Sequence, residues 1–238
     1  MDREVGQLYS VARAVLDPLF SFLWRIEIEG LENVPDQGGA ILAPNHLSVL
    51  DHFVVATCLP RRITYVGKAE YMDSWKTKYI FPALGMIPID RGGGSAANRA
   101  LESAARVLQQ GELFGIYPEG TRSRDGKLHK GHTGVARLGM RTGCPIIPVG
   151  LQGTLEVQQP DSRMPKPFKV MRVRFGRPLP MARFGDQTRN RLVLREITDE
   201  LMFEIRELSG QEYDDTYATK QAATLPAETA RIPVAAAL

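Results

Sequence analysis

The chain has 238 residues, of which 43% are hydrophobic and 24% are charged, with a formal net charge of +3. This composition is typical of a globular protein with one sizeable core, so one main domain is expected. The positive charge is small and no polybasic arm is present, so a nucleic-acid partner is not expected. Phosphate groups and anionic lipids remain compatible with this charge.

The first 24 residues are apolar but interrupted by charges. They lack the basic-then-apolar profile of a signal peptide, and no stretch reaches the roughly 18 uncharged apolar residues of a spanning helix. Apolar residues recur at helical spacing, and Asp17 with Pro18 resembles an N-cap followed by a first-turn proline. Residues 1–24 are therefore predicted to form short amphipathic helices. These pack either on the protein's own core or in a membrane interface.

Strands and helices alternate from Arg25 onward. Apolar runs predict strands at 24–29, 39–43, 61–67, 85–90, 113–117, 145–149 and 169–175, and helical patterns cover 72–83, 95–110 and 189–208. The alternation predicts an α/β domain over residues 25–209, with a mixed sheet flanked by helices. Residues 210–238 are rich in Ala, Thr and Pro and are predicted to be a disordered tail. Cys58 and Cys144 are far apart and are expected to be reduced core thiols.

The stretch NHLSVLDHF places His46 and Asp51 five residues apart. On one regular helix their side chains would point about 140° apart. They meet if a strand ends near Pro44 and a helix begins around Leu50. An imidazole can then take a proton from an alcohol while the carboxylate fixes its tautomer. No G-x-S-x-G motif supplies a protein nucleophile, so the expected nucleophile is a substrate hydroxyl.

A turn with a second chemical signature follows the strand predicted at 113–117. It contains Glu119, Gly120, Thr121 and Arg122 in succession. One interpretation is a solvated turn in which the glycine adopts a positive φ angle. The other is an anion-binding turn, in which the glycine lets backbone N–H groups approach a phosphate and Arg122 supplies a forked cation.

Other cations also follow predicted strands. Arg91 precedes three glycines and could reach a phosphate, although a salt bridge with Asp90 is an equal alternative. Lys68 follows Gly67 at a strand end and is a candidate substrate-binding residue. The downstream basic residues are more typical of a solvated face. Together these features predict acyl transfer to a phosphorylated alcohol.

Four segments together resemble the glycerolipid acyltransferases, especially bacterial 1-acylglycerol-3-phosphate (lysophosphatidate) acyltransferases. Asn45, His46 and Asp51 match the NH-x4-D signature of that family. GMIPIDR, YPEGTRS and PIIPV resemble its second, third and fourth blocks, at 85–91, 117–123 and 145–149. The blocks occur in the family's order and occupy about the middle half of the chain.

The resemblance implies transfer of a fatty acyl group from acyl-CoA, or acyl carrier protein, to the sn-2 hydroxyl of lysophosphatidate. The product would be phosphatidate, for phospholipid biosynthesis. His46 would be the general base and Asp51 its partner, while Arg91, Glu119, Gly120 and Arg122 would hold the glycerol phosphate. The resemblance implies no cofactor and no metal. It also implies a peripheral or monotopic location at the cytoplasmic face of the cell membrane.

Alternatives of three kinds stay open from the sequence. The acceptor could be glycerol-3-phosphate, another lysolipid or a glycolipid. A metal-dependent phosphohydrolase could use His46, Asp51 and His52, or the spaced pair His129 and His132, as ligands. A membrane-binding protein without catalysis is the third alternative.

Overall fold

The structure is a computed structural model that describes residues 14, 18–68, 86–89, 96–159, 162, 164–185, 187–188 and 190–219. Its strands are β1 (Arg25–Glu29), β2 (Ala40–Pro44), β3 (Ile63–Lys68), β4 (Met86–Ile89), β5 (Leu113–Gly115), β6 (Leu128–His129), β7 (Ile146–Gln152), β8 (Val170–Phe175) and β9 (Tyr213–Asp214). Its numbered helices are α1 (Asp51–Cys58), α2 (Ala96–Gln109), α3 (Gly134–Thr142), α4 (Thr154–Val157) and α5 (Arg191–Ser209). Short 3-10 turns cover Leu31–Asn33 and Met181–Phe184.

Seven strands of the described chain form one mixed sheet in the order β1-β8-β7-β2-β5-β3-β4. Neighbouring strands are parallel except for β7 and β8, which are antiparallel. The carboxyl ends of β2, β5, β3, β4 and β7 therefore lie at the same edge of the sheet. In α/β proteins this edge commonly carries the functional loops.

The sheet separates two apolar layers. Successive side chains of β2 point to opposite faces of the sheet and so contribute to both layers. All five of its residues are buried, as expected for a central strand covered on both faces. Leu42 contributes to a core with α1 and the N-terminal helical residues, whereas Ile41 contributes to a core with α2, α3 and α5. The predicted α/β fold with a mixed sheet flanked by helices is confirmed.

The helix α3 was missed because its sequence, GVARLGMRT, contains two glycines, which have low helix propensity. Gly139 is tightly packed, since a Cβ there would lie 2.9 Å from both Ile146 Cδ1 and Met181 Sδ, which would have to shift. The strands β6 and β9 were also not predicted, because two residues are too few to show a hydrophobic periodicity.

The ends of the chain are covered only in part. Residues 14 and 18–23 are helical, while the rest of the predicted N-terminal helices and the helix at 72–83 lie outside the described residues. Residues 210–219, which were predicted to belong to a disordered tail, instead include β9, which pairs with β6, and residues 220–238 lie outside the described residues. Within the described part of the chain, no helix combines the length and apolar content that crossing a bilayer requires. The described cysteines, Cys58 and Cys144, are both free thiols.

Candidate active site

His46 and Asp51 lie at the sheet edge where β2 ends and α1 begins. The strand stops at Pro44, and Asp51 is the first residue of the helix. A carboxylate in the first helical turn is stabilised by the helix dipole. The strand-to-helix turn thus lets residues five positions apart face one another, as expected from their spacing.

The two side chains are in hydrogen-bond contact. His46 Nδ1 lies 2.9 Å from Asp51 Oδ2, and the same oxygen accepts backbone N–H bonds from Leu47 at 2.7 Å and Ser48 at 2.8 Å. The Asp51 side chain is fully buried, whereas 12% of the His46 side chain is exposed. With Nδ1 protonated against the carboxylate, Nε2 of His46 carries the lone pair that a general base needs.

Aromatic rings fix the plane of the His46 imidazole. The Tyr117 ring stacks on it with centroids 3.8 Å apart and planes 21° apart, and His52 meets it edge-on at 5.3 Å. Burial, then the neighbouring His46, lower the pKa of His52 to about 3, so His52 stays neutral beside the candidate base. The sequence interpretation missed these packing roles, although Tyr117 begins the YPEGTRS block.

Glu119 has a position different from the one expected. It is 1% exposed, and its carboxylate oxygens accept backbone N–H bonds from His46 and His129, each at 3.0 Å. Burial raises its pKa to about 7, although the two N–H donors oppose this shift. Its oxygens are thus committed to backbone donors. Glu119 therefore holds the backbone at His46 in this structure, and its expected role in holding the glycerol phosphate stays a prediction.

The turn after Glu119 lies against the candidate catalytic pair. Gly120 has φ of +71°, the conformation expected for this turn. Its own amide donates to Tyr117 O and the amide of Ser123 donates to His46 O, so these two N–H groups are used within the protein. The role predicted for Gly120, to let backbone N–H groups of the turn approach a phosphate, stays a prediction. Thr121 and Arg122 are half-buried beside it.

The positive charge of Arg122 acts on His52, which lies beside the candidate base. After burial and His46, its positive charge is among the influences that lower the pKa of His52. Arg122 directly precedes Ser123, whose amide donates to His46 O at 2.7 Å. The forked cation expected for phosphate binding is therefore held near the candidate base.

The remaining predicted binding residues are less completely described. The backbone of Lys68 ends β3 at the same sheet edge as His46, but its side chain lies outside the described residues. Arg91 lies entirely outside them. Their binding roles stay predictions.

Ser48 is fully buried, which argues against a role as a nucleophile. Its hydroxyl accepts from Leu50 N and donates to Gln158 Oε1.

Among the residues that the structure describes, the group with metal-ligand spacing is Asp125, His129 and Asp214, with candidate ligand atoms within 4.8 Å of one another. His46, Asp51 and His52 do not form such a group, so the geometry does not favour the phosphohydrolase alternative.

The sequence matches the Acyltransferase family model over residues 25–152, which is more than half of the chain. This chain belongs to the acyltransferase family. The matched region contains the His46–Asp51 pair and the turn at Arg122, and it ends within β7. The family expected from the four sequence blocks is confirmed.

Curated relatives of this acyltransferase include three proteins that carry the name 1-acyl-sn-glycerol-3-phosphate acyltransferase. The protein of Limnanthes douglasii is 36% identical over 137 residues, covering 54% of this chain and 46% of the relative. That of Borreliella burgdorferi is 27% identical over 130 residues, with coverages of 55% and 52%. That of Bacillus subtilis is 26% identical over 149 residues, with coverages of 61% and 72%. The chain thus spans about half the length of the first two.

The acyltransferase fold is also similar to a crystal structure, that of the 1-acyl-sn-glycerophosphate acyltransferase PlsC from Thermotoga maritima. The TM-score is 0.65 at 23% sequence identity, covering 83% of this chain and 79% of the other. At this identity the similarity concerns the fold.

Proposed function

We propose that this acyltransferase moves a fatty acyl group from acyl-CoA, or acyl carrier protein, to the sn-2 hydroxyl of 1-acylglycerol-3-phosphate. The observation that carries the proposal is the contact of 2.9 Å between His46 Nδ1 and Asp51 Oδ2, beside the turn that contains Arg122. The names of the curated relatives, which are 1-acyl-sn-glycerol-3-phosphate acyltransferases, support the choice of acceptor.

The proposed reaction is a direct attack. Nε2 of His46 takes the proton of the acceptor hydroxyl as its oxygen attacks the thioester carbonyl carbon, and Asp51 stabilises the resulting imidazolium. The tetrahedral intermediate then collapses, the C–S bond breaks, and the leaving thiolate receives the proton from His46. Arg122 binds the phosphate and thereby orients the hydroxyl. No acyl-enzyme forms.

An acceptor panel with one acyl-CoA tests the function. Thiol release and product mass are measured with lysophosphatidate, glycerol-3-phosphate, a neutral monoacylglycerol and a lysophosphatidate analogue that lacks the sn-2 hydroxyl. We expect phosphatidate from lysophosphatidate, slower turnover of the other hydroxyl acceptors and no acceptor-dependent thiol release with the deoxy analogue. A preference for glycerol-3-phosphate or the neutral acceptor would show that the acceptor is misassigned. Absence of turnover with every acceptor would contradict acyltransferase activity.

We further propose that the protein works at the membrane surface through an apolar patch centred on Phe22 and Phe168, which Leu19 and Val170 flank in sequence. These side chains are exposed, Phe22 to 75% and Phe168 to 74%. Their rings meet edge-on at 6.5 Å, and Phe168 N donates to Leu23 O at 2.7 Å. Phe168 keeps this contact at a φ of +59°, which is unfavourable for a bulky residue.

Basic residues next to the apolar patch support an anionic lipid surface as its partner. Three exposed basic residues lie close to Phe22 or Phe168 in sequence: Arg25, Lys166 and Lys169. Apolar side chains flanked by cations are typical of interfacial membrane binding. Sedimentation with phosphatidylglycerol vesicles tests this. We expect the double variant Phe22→Ser/Phe168→Ser to bind less than wild type, and the exposed control Phe203→Ser to bind equally. Equal binding by the double variant would contradict the role of the patch.

A further inference from the structure

A segment beyond the family match folds back onto the candidate active site. The helix α5 ends at Ser209, and Gly210 adopts a φ of +68°, which reverses the chain. We call residues 209–217 the C-terminal strap. Within it β9 pairs with β6, and further bonds join Leu128 N to Glu212 O at 2.8 Å and Lys130 N to Thr216 O at 2.9 Å. The strap is thereby attached to the loop that follows the Arg122 turn.

Gln211 connects the strap to the residue that precedes the candidate base. Asn45 Nδ2 donates to Gln211 Oε1 at 2.7 Å, and Gln211 Nε2 donates to Gly126 O at 2.7 Å. The Asn45 amide is fully buried, and its other contacts are both with the backbone of Leu151, at 3.0 Å and 2.7 Å. Gln211 thus accepts a bond from a buried amide. Losing that acceptor leaves one N–H of this buried amide without a partner, while the other still donates to Leu151 O, and an unpaired buried donor is costly.

The far end of the strap supports the turn that follows Tyr117. The Tyr217 ring stacks on His132 with centroids 4.5 Å apart and planes 9° apart. The His132 backbone donates to Pro118 O at 2.8 Å, and its ring lies 3.1 Å from where a Cβ on Gly120 would be. Tyr217 therefore holds His132 against the Gly120 turn.

These contacts converge on the backbone of His46. Glu119 joins the amide of His46 to that of His129, and His129 belongs to the strand β6 that pairs with the strap. Asn45 is fixed from the other side by Gln211. The two loops that carry His46 and Arg122 are thus attached to one common segment.

We propose that Gln211 and Tyr217 are positioning residues, which hold His46 in register with the acceptor site. The proposal rests on the proposed acyl transfer for its kinetic consequence, but its structural consequence is independent. Displacing a catalytic group by about 1 Å can reduce turnover by about a hundredfold without removing a substrate contact. Loss of the strap contacts therefore lowers kcat more than it changes KM for either substrate.

Gln211→Met tests the first contact, because methionine has the same length and cannot form either hydrogen bond. Gln110→Met is the matched control, since Gln110 is exposed just after α2. Amide hydrogen exchange, thermal unfolding and steady-state kinetics are measured on each full-length variant. In Gln211→Met we expect faster exchange in the peptide containing His46 to Asp51, and a kcat at least about tenfold lower with both KM values within about twofold. The control should match wild type.

Tyr217→Leu and Tyr217→Phe test the second contact as a pair. We expect the leucine variant to lower kcat and to speed exchange around Gly120, and the phenylalanine variant, which keeps the ring, to restore both. Unchanged exchange at His46 in Gln211→Met, or a kcat loss explained by the unfolded fraction, overturns the proposal. If wild type is inactive with every acceptor but the exchange effect is present, the proposed function fails while the attachment of the strap stands.

Discussion

The ionisation of Glu119 is strongly altered by the fold. Its carboxylate is buried between the amides of His46 and His129, and burial raises its pKa from 4.5 to about 7. Between these two pH values the folded protein binds a proton that the unfolded chain has released. The free energy of unfolding contributed by this group therefore decreases as pH rises from about 4.5 to about 7.

Glu119→Gln removes this titration. We expect the wild-type free energy of unfolding to fall relative to that of the variant, by roughly 3 kcal/mol between pH 4.5 and pH 7. Denaturant unfolding across this range measures the difference, and Glu102→Gln on the exposed part of α2 should follow wild type. Parallel curves for wild type and Glu119→Gln would show that Glu119 does not titrate in this range.

Arg122 is predicted to bind the acceptor phosphate. We expect Arg122→Ala to raise KM for lysophosphatidate at least about tenfold, or to abolish turnover if the phosphate contact positions the hydroxyl. Arg122→Lys should recover only part of the loss, because an ammonium cannot form the bidentate pair. Arg141→Ala, on the exposed end of α3, is the control. Wild-type kinetics in Arg122→Ala would place the phosphate elsewhere.

The residue-scale predictions from sequence succeeded where a short spacing determined the geometry. The proximity of His46 and Asp51 followed from a strand ending at Pro44 and a helix starting soon after it. The stack of Tyr117 on His46 could not be predicted, because it joins residues 71 positions apart in sequence through the pairing of β2 with β5. The position of Glu119 had the same cause, since its partners lie on the loop after β2 and on strand β6.

At the scale of elements, α5 must lie close against β7 for the strap to reach Asn45. Gly150 makes this approach possible: a Cβ there would lie 2.5 Å from the carbonyl carbon of Leu208 and 2.7 Å from the nitrogen of Ser209. These are backbone atoms, which cannot move aside as a flexible side chain can. An added methyl group would therefore displace the end of α5.

Gly150→Ala is predicted to destabilise the protein by about 1–3 kcal/mol, as overpacking commonly does, and to lower kcat by moving the strap. Gly134→Ala is the control, because a Cβ there meets no atom within 4 Å and alanine favours the helix. Thermal unfolding should give a lower Tm for the first variant and an equal or higher Tm for the second. Equal Tm values for Gly150→Ala and wild type would contradict the close packing of α5 on β7.

Helices and strands could be predicted where their hydrophobic pattern ran over enough residues. The longer apolar runs and the helices α2 and α5 were predicted near their observed bounds, since each carries several turns or alternations. The helix α3 was missed because its two glycines lower its helix propensity. The strap was assigned to a disordered tail because its order depends on Gln211, β9 and Tyr217 contacting distant residues, which composition does not reveal.

At the scale of the whole molecule, strand order explains why distant sequence blocks form one site. The strands β2 and β5 are parallel neighbours, so the loops after Pro44 and Gly115 emerge side by side. β7 flanks β2 on its other side, and its residue Leu151 contacts Asn45. Three of the four family blocks therefore meet at one sheet edge, and the C-terminal strap fastens two of their loops.

The most direct test of the central claim is the initial rate of phosphatidate formation by His46→Ala, with folding verified by its unfolding curve. We predict a rate at least about a hundredfold below wild type, since a positioned general base contributes about 10²–10⁴-fold. Ser48→Ala should keep most of the activity, because its hydroxyl does not contact the reacting groups. A folded His46→Ala variant whose rate is within a few-fold of wild type would contradict general-base catalysis by His46.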